Sequence, residues 1–331
     1  MSAHAPAHGD RRVTWMELFF DLVFVAAVSQ VGAPLVREFA FTELFRFAFL
    51  LLVIWWAWHG YAVYATRFDV DDGIERGATL LQMVAVIFMA ANAEQGLDSL
   101  SSAGFAAAYG AMRLILAVRY LRATAWPGHR QLALEHAAGC GAAGAIWIAS
   151  AVVLPPARYV LWAAALAIDL GSAIIGSRYT VVAPPHASHL PERFGLFTLI
   201  LLGEAIVAVM SGIQHQAEWS VTAALTAFSA IGLVCAVWWT YFDGVNAAGR
   251  RDIRCRRDAT RFVVWSAAHF PLYLGVALTG IASEHAVRAG GWPALHGDEA
   301  GLLVLGVLLM IAALWIVRGV PSPAAEPAGL T

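Results

Sequence analysis

The chain has 331 residues, of which 60% are hydrophobic and 13% are charged, and its formal net charge is −2. Soluble globular domains average about 25% charged residues, so this composition excludes a water-soluble fold. The near-neutral charge gives no indication of a nucleic-acid partner or an acidic partner. Cys140, Cys235 and Cys255 lie singly, which indicates neither a disulfide framework nor a CxxC metal site.

Apolar runs of roughly 20 residues, the length that crosses a bilayer as a helix, follow one another along the chain. Short connections with helix breakers, such as Pro155-Pro156, separate them. The pattern predicts an all-α, polytopic integral membrane protein with about ten transmembrane helices. The predicted helices cover residues 15–36, 44–66, 74–96, 102–123, 132–154, 156–177, 192–213, 219–242, 259–282 and 300–318.

We expect residues 1–320 to form a single polytopic transmembrane domain. Residues 321–331 hold three prolines and no periodicity, so this tail is predicted to be disordered. The first apolar run carries Glu17 and Asp21 and lacks a small-residue cleavage site, which argues against a removable signal peptide.

The arginines predict the orientation of the chain. Sixteen of the 21 lie in loops or helix ends on the side of the N-terminus, four lie on the opposite side, and Arg113 lies inside a helix. By the positive-inside rule, both termini are predicted to be cytoplasmic. The run of arginines within residues 250–261 is expected to form a solvated loop beside anionic lipid headgroups.

A weak internal repeat is visible in the same elements. Asp21 and Glu204 are separated by the same number of residues as Trp55-Trp56 and Trp238-Trp239. This relates helices one to three to helices seven to nine, and predicts a parallel repeat with halves at 13–123 and 192–318.

Two stretches carry a resemblance to a known family. Residues 13–25 read VTWMELFFDLVFV, and residues 192–204 read ERFGLFTLILLGE, with His189 just before and His269-Phe270-Pro271-Leu272 further on. Together they resemble the bacterial low temperature requirement protein A (LtrA) family over most of the chain. The resemblance implies a protein of the bacterial cytoplasmic (inner) membrane, genetically linked to growth in the cold. It supplies no established biochemical activity.

Ionisable residues in the hydrocarbon region cost about 2.5–3.5 kcal/mol each on insertion scales, so each needs a partner or a function. The candidates for a polar core are Glu17, Asp21, Arg113, Asp169, Glu204 and His269.

Depth estimates suggest how some of these residues are paired. Arg113 and Asp169 each precede a helix-end arginine by nine positions, so both lie about 14 Å deep and are predicted to form an ion pair. Glu204 follows Glu192 by twelve positions, or about 18 Å. Glu204 is either a second partner for Arg113, a protonatable group of a transport pathway, or a packing acid.

No cofactor is expected, and the evidence for a metal is weak. Residues 139–144 spell GxGxxG, but they lie inside an apolar helix with no preceding strand, where small residues favour close helix packing. His186, His189 and Glu192 have a spacing that could reach a metal, although Pro191 interrupts them. A loop followed by a helix N-terminus is the alternative explanation for these three.

Three functions fit the sequence. The first is a secondary transporter or ion pathway, coupled to protons, that carries a small solute or ion across the lipid bilayer. The second is a membrane enzyme or lipid-handling factor that uses the same acids with His269 or His189. The third is an accessory or sensory membrane protein. No GxSxG or HExxH motif is present, which disfavours an enzyme, and the sequence leaves substrate and oligomeric state open.

Overall fold

A computed structural model describes residues 13–37, 39–68, 70–93, 101–216, 220–248 and 251–320. This part of the chain is helical and holds no strand. The helices are α1 Trp15–Arg37, α2 Phe41–Arg67, α3 Gly73–Ala93, α4 Ser101–Ala123, α5 Arg130–Ser150, α6 Ala157–Gly176, α7 His189–Gln214, α8 Val221–Ala248, α9 Arg256–Ala267, α10 His269–Arg288 and α11 Gly297–Gly319. The predicted disordered tail, 321–331, lies outside the described residues.

Nine segments of the described chain are long and apolar enough to cross a membrane, with α9 and α10 together forming one of them, Arg256–Arg288. The helix missing from this set is α4, because Arg113, Arg119 and Arg122 lower its hydropathy. All three arginines pair with carboxylates of α3, α6 or the α2–α3 connection. These findings confirm an all-α, polytopic membrane protein with about ten transmembrane helices.

The helices run up and down, so that α1, α3, α5, α7 and α9 begin at one end of the bundle. We call this the proximal end, and the other the distal end. The start of α3 meets the end of α4 there through Asp72 and Arg122, at 2.9 Å. Helix α1 packs against α2, α3, α7 and α10, and thus occupies a central position.

Small residues let the helices approach closely, as the GxGxxG stretch predicts. A Cβ at Gly144 of α5 would lie 3.0 Å from the carbonyl oxygen of Gly110 in α4. A Cβ at Gly139 would collide with Ser172 of α6. Between helices in lipid, packing and not the hydrophobic effect supplies most of the attraction, so this backbone contact stabilises the α4–α5–α6 unit.

The ninth predicted helix, 259–282, proves to be longer and broken. It begins at Arg256, ends at Arg288, and is interrupted at Ala268. The arginine run before it is not a fully solvated loop. Arg251 lies 4.5 Å from the centroid of the Trp265 ring and is 8% exposed, and burial lowers its pKa to about 10. Arg250 lies outside the described residues.

The internal repeat stays a prediction. Asp21 is the seventh residue of α1, whereas its proposed counterpart Glu204 is the sixteenth of α7. At 1.5 Å per residue the two acids therefore differ in depth by about 13 Å.

Candidate functional site

A buried ion pair joins α1 to α7. Asp21 contacts Arg193 through Oδ1 and Nη2, and neither side chain is exposed. The Nε1 of Trp58 in α2 donates a hydrogen bond of 2.7 Å to the same Oδ1. The Asp21 Oδ2 and the Arg193 Nε and Nη1 are buried, and have no hydrogen-bond partner in the part of the chain that the structure describes. The pair therefore retains hydrogen-bonding capacity.

Glu17 lies one turn before Asp21, on the same face of α1. Its Oε1 is 3.1 Å from the Nε2 of His189, which is fully buried at the start of α7. Its Oε2 accepts hydrogen bonds of 2.9 Å from both the backbone N–H and the hydroxyl of Thr14, so the two residues form a capping box that begins α1. Glu17 therefore joins the start of α1 to the start of α7.

Tyr61 of α2 links this pair to a second polar cluster. Its ring centroid lies 5.0 Å from the Cζ of Arg193 and 5.0 Å from the Cζ of Arg119. Each cation–π contact contributes about 0.5–2 kcal/mol, depending on desolvation. One aromatic ring thus contacts the guanidinium groups of both clusters.

The second cluster lies between α3 and α4. Arg119 donates to Glu75 Oε2 at 2.7 Å and to Gln82 Oε1 at 2.6 Å. Arg122 donates to Glu75 Oε1 and to Asp72 Oδ2, both at 2.9 Å. Asp72 also accepts from the Glu75 N–H at 2.8 Å, and this bond holds the pKa of Asp72 below its usual range. The two buried charges, Glu75 and Arg119, are therefore neutralised within the cluster.

A polar cavity of about 470 Å³ opens between the two clusters, and we call it the proximal cavity. At its edge Arg76 and Asp71 form an exposed ion pair at 2.7 Å. Its polar lining consists of Thr14, Glu17, Tyr61, Asp71, Glu75, Arg76, Thr79 and Arg119.

A second cavity, of about 210 Å³, lies between α1, α2, α7 and α10, and we call it the distal cavity. Two acids line it, Glu204 of α7 and Glu284 of α10. Ser211 donates to Glu284 Oε1 at 2.7 Å, whereas Glu204 makes no hydrogen bond or ion pair with any described residue. Glu204 is only partly buried, so its carboxyl group is accessible.

Helix α1 lines both cavities. Glu17 contacts the proximal cavity and Val28 the distal one, which places the two about 16 Å apart along the helix axis. Asp21 lies in this interval, where the buried rings of Phe20, Phe24 and others fill the space. An apolar layer that contains the Asp21–Arg193 pair therefore separates the two cavities.

The ion pair that equal depth predicts is present between α4 and α6. Arg113 contacts Asp169, and both are buried. Trp56 Nε1 at 3.0 Å and the Tyr109 hydroxyl at 3.3 Å donate to Asp169 Oδ2, and Arg113 also contacts the Cys140 sulfur at 3.2 Å. Neither charged residue lines a described cavity. This carboxylate is fully satisfied, as expected of a pair that fixes how helices dock.

The other predicted residues are not part of one polar core. Glu204 does not reach Arg113, because it lines the distal cavity instead. His269, immediately after the break at Ala268, has both ring nitrogens occupied. Its Nδ1 bonds the Trp265 carbonyl at 2.8 Å, and its Nε2 accepts from the Tyr241 hydroxyl at 3.0 Å. His269 therefore packs between aromatic rings and holds the helix junction.

The three residues with metal-like spacing have other contacts. His189 uses Nε2 for Glu17, and its Nδ1 lies 3.9 Å from Glu192. The rings of His186 and His189 are 6.3 Å apart and nearly perpendicular. Over the described ranges no group of three or more His, Cys, Asp or Glu side chains is arranged to hold a metal ion.

The sequence analysis missed Arg193 as a site residue, because an arginine beside a predicted helix start is ordinarily interfacial. A usable signal was nevertheless present. Arg193 is the fifth residue of α7 and Asp21 the seventh of α1, and the two helices run in the same direction. Comparison of depths, which paired Arg113 with Asp169, would also have paired these two.

Comparison with known proteins gives matches along nearly the whole chain. The model of the bacterial low temperature requirement A protein (LtrA) family matches residues 12–330. An uncharacterized protein of Rhizobium meliloti (strain 1021) is 24% identical over 318 residues, which cover 93% of this chain and 77% of that protein. Both stretches that carry the resemblance, residues 13–25 and 192–204, fall inside the matched region.

Proposed function

We propose that this chain, which belongs to the bacterial low temperature requirement A protein family, is a proton-coupled transporter or ion pathway whose route follows α1 and α7. The observation that carries the proposal is that α1 lines both the polar proximal cavity and the distal cavity with its two acids. A buried acid–arginine pair lies in the apolar layer between them. Transporters commonly place coupling groups in such a position, between cavities that open in turn.

The charges around the proximal cavity support a coupling role. Four carboxylates, Glu17, Asp21, Asp72 and Glu75, lie with three arginines, so the cluster carries one negative charge when His189 is neutral. The arginines are Arg119, Arg122 and Arg193. A bound proton then changes the net charge of a buried cluster by one unit. In a low-dielectric setting that change strongly alters the energies of the neighbouring ion pairs.

A sequence of proton positions follows from the contacts. A proton from the proximal cavity binds at Glu17–His189 and weakens the attraction of Glu17 for Arg193. Transfer to the Oδ2 of Asp21 then releases Arg193 from its partner, and Arg193 keeps its contact with the Tyr61 ring. The proton leaves through the distal cavity, where Glu204 and Glu284 can accept it. With both termini in the cytoplasm, the proximal cavity faces the cytoplasm.

The test is proton flux into proteoliposomes that contain the purified chain and a pH-sensitive dye, under an imposed pH gradient. Glu17→Gln and Asp21→Asn should each reduce the flux by about tenfold or more, which corresponds to about 1.4 kcal/mol on the rate barrier. Glu43→Gln is the matched control, because Glu43 pairs with Arg46 and lines no described cavity.

Folding is checked for every variant by gel filtration and thermal unfolding. Folded Glu17→Gln and Asp21→Asn variants with the flux of the unaltered chain would remove the proposed route. An unaltered chain that conducts no protons at any imposed gradient, alone or with added solutes, would remove proton coupling itself.

A further inference from the structure

A separate crevice of about 150 Å³ lies between α2, α5, α6 and α9. It shares no lining residue with the proximal or the distal cavity. None of its described lining residues is a carboxylate. Its polar lining instead consists of His59, Arg67, His136, Ser177, Thr180 and Ser266. The crevice thus presents a guanidinium, imidazoles and hydroxyls, a set of groups suited to an anion.

Arg67, the last residue of α2, is the charge in this crevice. Its Nε and Nη1 are buried and lack a hydrogen-bond partner in the described ranges, and Tyr120 is the polar side chain beside the guanidinium. No described carboxylate lies within ion-pair distance of it. A buried guanidinium without a counter-charge is costly, and a phosphate group satisfies it with strong, charge-assisted hydrogen bonds.

The two histidines are oriented by the surrounding helices. His136 donates from Nδ1 to the Leu132 carbonyl at 3.0 Å, so its Nε2 can donate to a phosphate oxygen only when the ring carries a second proton. Its ring packs against Gly176, where a Cβ would have no room. His59 contacts the Ser266 hydroxyl at 2.7 Å and stacks on Trp56, with ring centroids 5.1 Å apart.

The edge of the crevice is apolar and faces outward. Ile174 of α6 is 68% exposed and Val263 of α9 is 41% exposed, and both line it. On helices that cross a membrane, such exposed aliphatic side chains contact lipid acyl chains. Arg67, Ser177 and Thr180 lie at the proximal ends of α2 and α6, which is the level of lipid headgroups.

From these four observations we propose that the crevice binds a phosphate group, and that an anionic phospholipid of the adjacent leaflet supplies it. The phosphate accepts hydrogen bonds from Arg67, and the acyl chains lie on Ile174 and Val263. A free phosphate-bearing anion offers the same chemistry without the chains, and the experiment separates the two sources.

Native mass spectrometry of the purified, delipidated full chain counts bound molecules after addition of phosphatidylglycerol, diacylglycerol or inorganic phosphate. We expect one tightly bound phosphatidylglycerol and no retained diacylglycerol, which lacks the phosphate. Arg67→Gln should weaken phosphatidylglycerol binding by about tenfold, the loss of one charge-assisted contact. Arg130→Gln is the matched control, because Arg130 is exposed at the same end and lines no described cavity.

A second variant guards against a folding defect in Arg67→Gln. Ala173→Phe fills the crevice from a partly exposed position and leaves every charge in place, so it should abolish the bound lipid while the melting temperature stays near that of the unaltered chain. Binding of inorganic phosphate that depends on Arg67, without retained phosphatidylglycerol, would assign the site to a soluble anion. Equal phosphatidylglycerol binding by the unaltered chain, Arg67→Gln and Ala173→Phe would overturn the proposal, as would no Arg67-dependent binding of either probe. Neither result depends on proton flux.

Discussion

Two buried pairs of one acid and one arginine occupy this bundle, and their surroundings differ. Asp169 has both oxygens satisfied, by Arg113, Trp56 and Tyr109. Asp21 has one oxygen without a described partner, and its helix neighbour Glu17 lines a cavity. The ionic groups are the same in both pairs, so the pairs differ in their neighbouring groups and in their access to a cavity. From this difference we infer a docking contact in the first pair and a change of protonation in the second.

The comparison also shows what burial alone fails to indicate. The four charged residues are all nearly inaccessible, with side-chain exposures of 0–3%. Exposure therefore does not distinguish the two pairs. The two arginines do not distinguish them either, because Nε and Nη1 of both lack a described partner. The hydrogen bonds of the two carboxylates and the distance from a cavity do distinguish them.

The largest expected effect is on stability at the α4–α6 pair. Arg113→Leu should lower the free energy of unfolding by about 3–5 kcal/mol, because it leaves Asp169 buried without its counter-charge. Combining it with Asp169→Leu should recover much of the loss. Unfolding in mixed micelles of increasing sodium dodecyl sulfate, followed by tryptophan fluorescence, measures both. A double variant no more stable than the single one would show that the pair is not a coupled unit.

The same replacement at the α1–α7 pair should cost less. Arg193→Leu is expected to lower the free energy of unfolding by about 2–3 kcal/mol, because Asp21 lies one turn from the residue that lines the proximal cavity and can take up a proton there. The double variant Arg193→Leu/Asp21→Leu should recover stability but conduct no protons. Arg113→Leu/Asp169→Leu, in contrast, should retain flux in proteoliposomes. Flux in both double variants, or in neither, would erase the functional distinction between the pairs.

A substitution on α2 tests how tightly the Arg113–Asp169 pair is packed. A Cβ at Gly60 of α2 would lie 2.8 Å from Arg113 Nη1 and 3.1 Å from Leu116 Cδ2. Gly60→Ala should therefore destabilise the protein by about 1–3 kcal/mol through overpacking. Gly203→Ala is the control, since a Cβ there meets nothing within 4 Å. Equal stabilities of the two variants would show that Arg113 has room to shift away from α2.

The smallest change in stability is expected at Glu204. Glu204→Gln should alter the free energy of unfolding by less than about 0.5 kcal/mol, because the side chain has no described partner to lose. It should nevertheless abolish proton flux and growth complementation in the cold, since the amide cannot accept the proton. A well-expressed variant that conducts and complements normally would leave Glu204 outside the route.

Most helix positions could be predicted from hydropathy alone. A segment that crosses lipid finds no water for its backbone N–H and C=O groups, so a long apolar run must form a helix that bonds them internally. The contact of Arg113 with Asp169 followed from depth, which is fixed by helix rise. The contact of Asp21 with Arg193 was open to the same comparison of depths, whereas the separation of Glu204 from Arg113 was not. That separation depends on which helices are lateral neighbours, and depth along an axis carries no information about that order. The break at Ala268 does have a mark in the sequence, because Pro271 has no N–H to bond the carbonyl of Ala267, one turn earlier.

The polar character of α4 has a consequence for how the chain is made. The free energy of inserting three arginines into a bilayer exceeds what the apolar residues of α4 gain by insertion. By itself, this helix is therefore poorly retained in a bilayer. The acid that neutralises Arg119 is on α3 and is synthesised first, whereas the acid that neutralises Arg113 is on α6 and is synthesised later. We therefore expect α4 to remain beside the insertion machinery until α6 emerges, so that α3 to α6 enter the lipid as one assembly step.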